Sequence, residues 1–208
     1  MYYCYLAGMM TPAILLHLSK DNQLKNVLES VEMIHWGGGT DVYFDLLESI
    51  VSQQLSVKAA ATIHKRFVGL FEDGFPHPEK LLALDVPTLR AVGLSNQKAG
   101  YMQNVADFFV KEKLQDTDWA ALTDEEIVQK LTQIKGVGRW TVEMILMFTL
   151  QRPDIFPIDD LGIRQAMIRL YGLEETGKAL RTRLVELAEP WRPYRTHACR
   201  YLWKWKDS

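Results

Sequence analysis

The chain has 208 residues, 48% hydrophobic and 24% charged, a balance that excludes a mainly disordered or low-complexity protein and suffices for a real core. Its 24 basic and 26 acidic side chains leave a formal charge of −2, so it is no general polycation, yet Arg181 to Ser208 holds seven basic residues against three acidic ones. The only cysteines, Cys4 and Cys199, lie far apart without metal-ligand spacing, which leaves a disulfide scaffold, a zinc site and a cysteine-ligated iron–sulfur cluster unsupported.

Met1 to Leu18 is fairly apolar but lacks a basic leader and is interrupted by Gly8, Thr11 and Pro12, so neither a signal peptide nor a membrane span is read there. The expectation is an intracellular soluble protein. Thr11 and Pro12 cap and open a helix. Trp36-Gly37-Gly38-Gly39-Thr40 reads as a flexible connector; it lacks the Lys and Ser/Thr of a phosphate loop. From Asp41 the stripe Tyr43, Leu46, Leu47, Ile50, Val51 is helical, and Ser56 caps a further helix. Between these two helices stands Gln53-Gln54-Leu55, either a solvated junction or a tip that enters a nucleic-acid duplex in place of an extruded base.

Prolines at Pro76, Pro78 and Pro87 break and restart short helices, and Ser95 caps the next one, which Met102, Val105 and Phe109 face inward. Lys98 sits in the first turn of that helix, an unfavourable place for a cation on dipole grounds, which suggests a phosphate contact. Trp119 is read as core. Thr123 to Glu126 is a capping box for the helix that ends at Ile134-Lys135-Gly136-Val137-Gly138. Glycines at both ends of that turn let the backbone run close to a ligand, and the helix that starts behind it adds its positive end. The run Trp140 to Leu150 is apolar almost all round and is expected to be one central helix, with Glu143 able to pair with Arg139. After Pro153 the chain turns back to Asp159-Asp160, which open a helix that Gly172 stops. No strand pattern of any length appears, so the expected fold is all-α with about ten helices.

Together with Ser49 to Ser56, the stretch from Leu131 to Arg169 resembles the helix-hairpin-helix/Gly-Pro-Asp superfamily of DNA glycosylases, and most nearly its DNA-3-methyladenine glycosylase II branch. The resemblance covers residues 35 to 205 or so. It implies one unit over 1–208 made of two helical lobes with the active-site cleft between them, one near 38–150 and the other near 11–37 plus 151–208. It implies that the hairpin, 134–139, grips DNA through Ile134, Gly136, Val137, Gly138, Arg139 and Thr141, with a monovalent cation such as Na⁺ or K⁺ at Ile134 and Gly136 when DNA is bound, and no other cofactor. Asp160 takes the place of the essential aspartate, with Asp159 as a cap or support. Members that form a Schiff base carry a lysine where this chain has Trp140, so the expected enzyme is monofunctional. Trp140 and Trp203 match aromatic walls of the base pocket, whereas Met144 stands where a tyrosine is common. The implied function is base-excision repair of alkylated purines in double-stranded DNA by a monomer, in the cytoplasm or nucleoid, or a nucleus. The competing readings are a non-catalytic DNA-binding or damage-sensing module and a glycosylase for hypoxanthine, ethenoadenine, or oxidised or mismatched bases.

Overall fold

The computed structural model describes residues 10–32, 39 and 41–208; the connector expected at Trp36 to Thr40 lies outside them except for Gly39, as does Cys4. Among the described residues there are twelve α-helices and no strand: α1 Pro12–Leu18, α2 Asn22–Ser30, α3 Val42–Ser52, α4 Val57–Val68, α5 Pro78–Leu82, α6 Val86–Ala91, α7 Asn96–Lys111, α8 Asp124–Leu131, α9 Arg139–Met144, α10 Leu161–Tyr171, α11 Gly177–Ala188 and α12 Arg195–Lys206. The chain divides into two compact units, one of Gly39–Ile145 and one of Met1–Gly38 with Leu146–Ser208.

Helix starts follow the caps that the sequence supplies. Asp41 accepts from Phe44 N–H at 2.8 Å, Ser95 from Lys98 N–H at 3.2 Å, and Thr123 and Glu126 form the reciprocal capping box. Two more helices exist than the ten or so expected. One cause is Asp21, which accepts from the N–H groups of Gln23 and Leu24 and so starts α2 directly behind α1. The long apolar helix expected over Trp140 to Leu150 is also corrected. It is regular only through Met144, then widens into a π-helical segment, Ile145–Thr149, and ends before Leu150. Gln151 in the left-handed region (φ 53) and Pro153 behind it redirect the chain.

In the unit Gly39–Ile145, α3 and α5 pack on α7, and the core is built from Tyr43, Leu46, Leu47, Ile50, Phe67, Met102, Val105 and Phe109. Trp119, expected in the core, is half-buried with its ring 6.3 Å from that of Phe109. In the other unit α10 and α2 pack on α12, and Asp21 ties them further by accepting from the Tyr171 hydroxyl and, at 3.0 Å, from the Trp191 indole N–H. Helix α12 carries a buried polar row, Thr196, His197 and Arg200. Neither ring nitrogen of His197 has a hydrogen-bond partner among the described residues. Burial, assisted by Arg200 nearby, pushes the imidazole pKa down to about 4.

That burial has a consequence for acid stability. The unfolded chain takes up a proton on His197 near its ordinary pKa, whereas the folded chain refuses it until about pH 4. Stability therefore falls as pH drops through that window, with a contribution of about 1–3 kcal/mol from this group. Urea unfolding at pH 7 and at pH 4.5 is expected to show a smaller acid loss for His197→Phe than for the parent chain.

Candidate functional site

The hairpin between α8 and α9 is held from below. Gly136 adopts φ +105, and a Cβ there would lie 2.3 Å from Cγ of the Tyr101 ring, so both the conformation and the space demand glycine. Asn104, three residues along α7, donates from Nδ2 to the Lys135 carbonyl at 3.0 Å. Ile134 and Val137 are buried, and Thr141 is only 3% exposed, so their side chains serve the packing of the hairpin. Gly138 is the N-cap of α9 and supplies no side-chain acceptor for its first turn, and the Gly138–Trp140 corner is exposed. Arg139 is turned back onto acid, with Nη2 3.0 Å from Glu125 Oε2 and Nε 3.3 Å from Glu143 Oε1. Its hydrogen bond to Glu125 keeps the arginine pKa above its ordinary value.

The same unit holds the Gln53-Gln54-Leu55 tip. Gln54 takes φ 58, an unusual conformation for a residue with a side chain, and its side chain and that of Leu55 are exposed. Trp140, 41% exposed, lines a cavity of about 430 Å³ together with Ser49, Ser52, Gln53 and Gln54. Its volume falls in the range of small-molecule pockets. Met144 is half-buried at the end of α9. Lys98 departs from the expected phosphate contact. Its ammonium donates to the carbonyls of Val51 and Gln53, both at 2.7 Å, so it caps the C-terminus of α3, and burial lowers its pKa.

The acidic pair lies in the other unit, and the structure separates the two aspartates. Asp160 is the N-cap of α10, accepting from Ile163 N–H at 2.8 Å on Oδ1, so of the two roles read for Asp159, cap or support, the cap belongs to its neighbour. The same oxygen accepts from the indole N–H of Trp203 at 2.8 Å. Trp203 is thereby placed as a support for the carboxylate, with Phe148 stacked on it at 5.8 Å. Gly162 completes the fit: a Cβ there would stand 3.0 Å from Trp203 Cδ1 and 3.1 Å from Asp160 Oδ1. Asp159 is exposed and ion-paired with Arg181. Sequence reasoning missed Tyr101, Asn104, Phe148, Gly162 and Arg181. The first two had a signal, since polar residues at three-residue spacing run along α7 beside its apolar face.

Among the described residues no group of three or more His, Cys, Asp or Glu is poised to hold a metal. What the hairpin offers is main-chain carbonyl, for example that of Ile134, which receives Val137 N–H at 3.0 Å. Neutral oxygen donors of this kind fit a monovalent cation better than a divalent ion that needs carboxylates.

An all-helical chain with a glycine hairpin and an aspartate at the next helix start defines a class. Residues 47–193 match the family described as the HhH-GPD superfamily base excision DNA repair protein, and the chain belongs to that superfamily. It is 38% identical over 164 residues to DNA-3-methyladenine glycosylase 1 of Schizosaccharomyces pombe, covering 78% of this chain and 71% of that one. It is 34% identical over 169 residues to the putative DNA-3-methyladenine glycosylase YfjP of Bacillus subtilis, covering 78% of this chain but 58% of that relative. Among solved structures it resembles a Schizosaccharomyces pombe 3-methyladenine DNA glycosylase, Mag1, in complex with abasic DNA. That likeness has a TM-score of 0.77 and 35% identity and covers 92% of this chain and 95% of the other.

The hairpin geometry yields a paired prediction. Gly136→Ala, which meets both a left-handed φ and the Tyr101 ring, is expected to cost about 2–4 kcal/mol in urea unfolding. Gly138→Ala, with open space around it, is expected to stay within about 0.5 kcal/mol of the parent.

Proposed function

We propose that the protein is a monofunctional DNA glycosylase that removes alkylated purines, of the 3-methyladenine and 7-methylguanine kind, from double-stranded DNA, acting as a monomer wherever the genome is housed. The observation that carries this reading is Asp160, a helix-capping carboxylate held on one oxygen by two N–H donors. Names of the relatives support the substrate class, and the complex of Mag1 with abasic DNA supports DNA as the partner.

The reaction follows from the chain's own residues. The main chain of the hairpin, from Ile134 to Gly138 and on through the first amides of α9, holds a backbone phosphate. A monovalent cation bound at Ile134 and Gly136 would add positive charge at that phosphate. The Gln53–Leu55 tip fills the space that the extruded nucleotide leaves. The exposed face of Trp140 stacks on the cationic base, an attraction of about 0.5–2 kcal/mol.

The bond from base nitrogen to sugar C1′ then lengthens, its electron pair leaves with the base, and the purine's formal positive charge is neutralised. The sugar takes on oxocarbenium character, which the Asp160 carboxylate stabilises. Water attacks C1′ and gives up its proton, with Asp160 as the acceptor. No amine stands at Trp140 to form a Schiff base, so the abasic strand is left intact.

Asp160→Asn is expected to abolish release of 7-methylguanine from a duplex, a loss of about 10³-fold or more, while binding to abasic DNA is retained. Trp203→Phe keeps a ring against Phe148 but removes the N–H, and is expected to slow single-turnover release about tenfold. Identical behaviour of Asp160→Asn and the parent would instead favour a non-catalytic DNA-binding module. Strand nicking without heat or alkali would exclude the monofunctional assignment.

A further inference from the structure

One helix supports both DNA-facing loops of its unit. On successive turns of α7, Lys98 donates to the carbonyls of Val51 and Gln53 at 2.7 Å each. Tyr101 lies under Gly136, and Asn104 donates to the Lys135 carbonyl at 3.0 Å. Lys98 and Asn104 are six residues apart, about 9 Å along the helix axis. The tip beyond α3 is a poor candidate to hold its own shape. It consists of Gln53, Gln54 in the left-handed region and exposed Leu55, with one turn bond from Leu55 N–H to the Ser52 carbonyl at 3.2 Å. The ammonium of Lys98 holds the chain on both sides of Ser52, at the end of α3 where the helix dipole is negative.

We propose that Lys98 and Asn104 are positioning residues for base extrusion, fixing the Gln53–Leu55 tip and the Gly136–Gly138 turn in register on α7. The inference rests on the glycosylase reading above. The phosphates of a duplex have fixed spacing, so a tip held in register with the phosphate-gripping turn meets the base stack at one defined step. A loose tip spends only a fraction of its time in the competent position, and the extrusion step is weakened by that fraction. The chemistry at the sugar is untouched, so a defect here depends on how firmly the target base is stacked and paired.

The experiment compares single-turnover release of 7-methylguanine from two duplexes, one with the lesion opposite cytosine and one opposite an abasic site, where extrusion costs less. Lys98→Met, which keeps length but has no donor, is expected to lose about tenfold or more on the first duplex and less than about threefold on the second. Lys98→Arg restores most of the rate, and Asn104→Ala shows a smaller loss with the same dependence on pairing. Circular dichroism and melting establish that each variant is folded. If Lys98→Met is not folded, Asn104→Ala decides by the same criterion. Equal losses on both duplexes, or none on the paired one, overturn the proposal. Absence of release from either duplex by the parent protein overturns the glycosylase reading instead.

Discussion

The hairpin can carry a bare main-chain turn because the ring of Tyr101 fills the place a side chain at residue 136 would take. That contact makes glycine obligatory at one position and leaves the turn without a side chain at Gly136 or Gly138. A turn without side chains at those positions lets another molecule approach the main chain closely, which is what the proposed phosphate grip requires. The Asn104 bond to Lys135 and the Lys98 bonds to Val51 and Gln53 extend the same arrangement along α7. A helix whose inner face is ordinary core thus carries on its outer edge the supports for two loops.

The proposed catalytic aspartate is held with comparable economy. An aspartate at a helix start is by default a cap, and Asp160 is one. Capping uses Oδ1, and the indole N–H of Trp203 comes to that same oxygen. One local interaction and one from 43 residues away therefore fix the orientation of the carboxylate. Asp159, its neighbour in sequence, is drawn off by Arg181 at the surface. Two adjacent residues of one type are given unrelated tasks by their partners alone.

Much of this was legible in the chain because it is local. Caps at Asp41, Ser56, Ser95 and Thr123 signal their helices within four residues, and Gly136-Val137-Gly138 signals a hairpin by the backbone freedom it needs. What stayed hidden depends on partners distant in sequence. Asp21 reads as one more polar residue until Tyr171 and Trp191 arrive on it. Lys98 looks like a phosphate ligand because its helix start disfavours a cation, and only the fold brings the α3 carbonyls that satisfy it. The π-helical segment after Met144 escaped for a different reason, since an all-round apolar run carries no periodicity from which a change of helical register could be seen.

Gly162 has a role that backbone conformation does not explain. A Cβ there would stand tight against the indole edge of Trp203 and Asp160 Oδ1, the pair that the carboxylate's orientation depends on. Even a methyl group there presses on the Asp160 carboxylate, although a helix by itself tolerates alanine well. A side chain at residue 162 would have to move Trp203 or Asp160 by a few tenths of an ångström, so the smallest residue of α10 controls how the carboxylate is aimed.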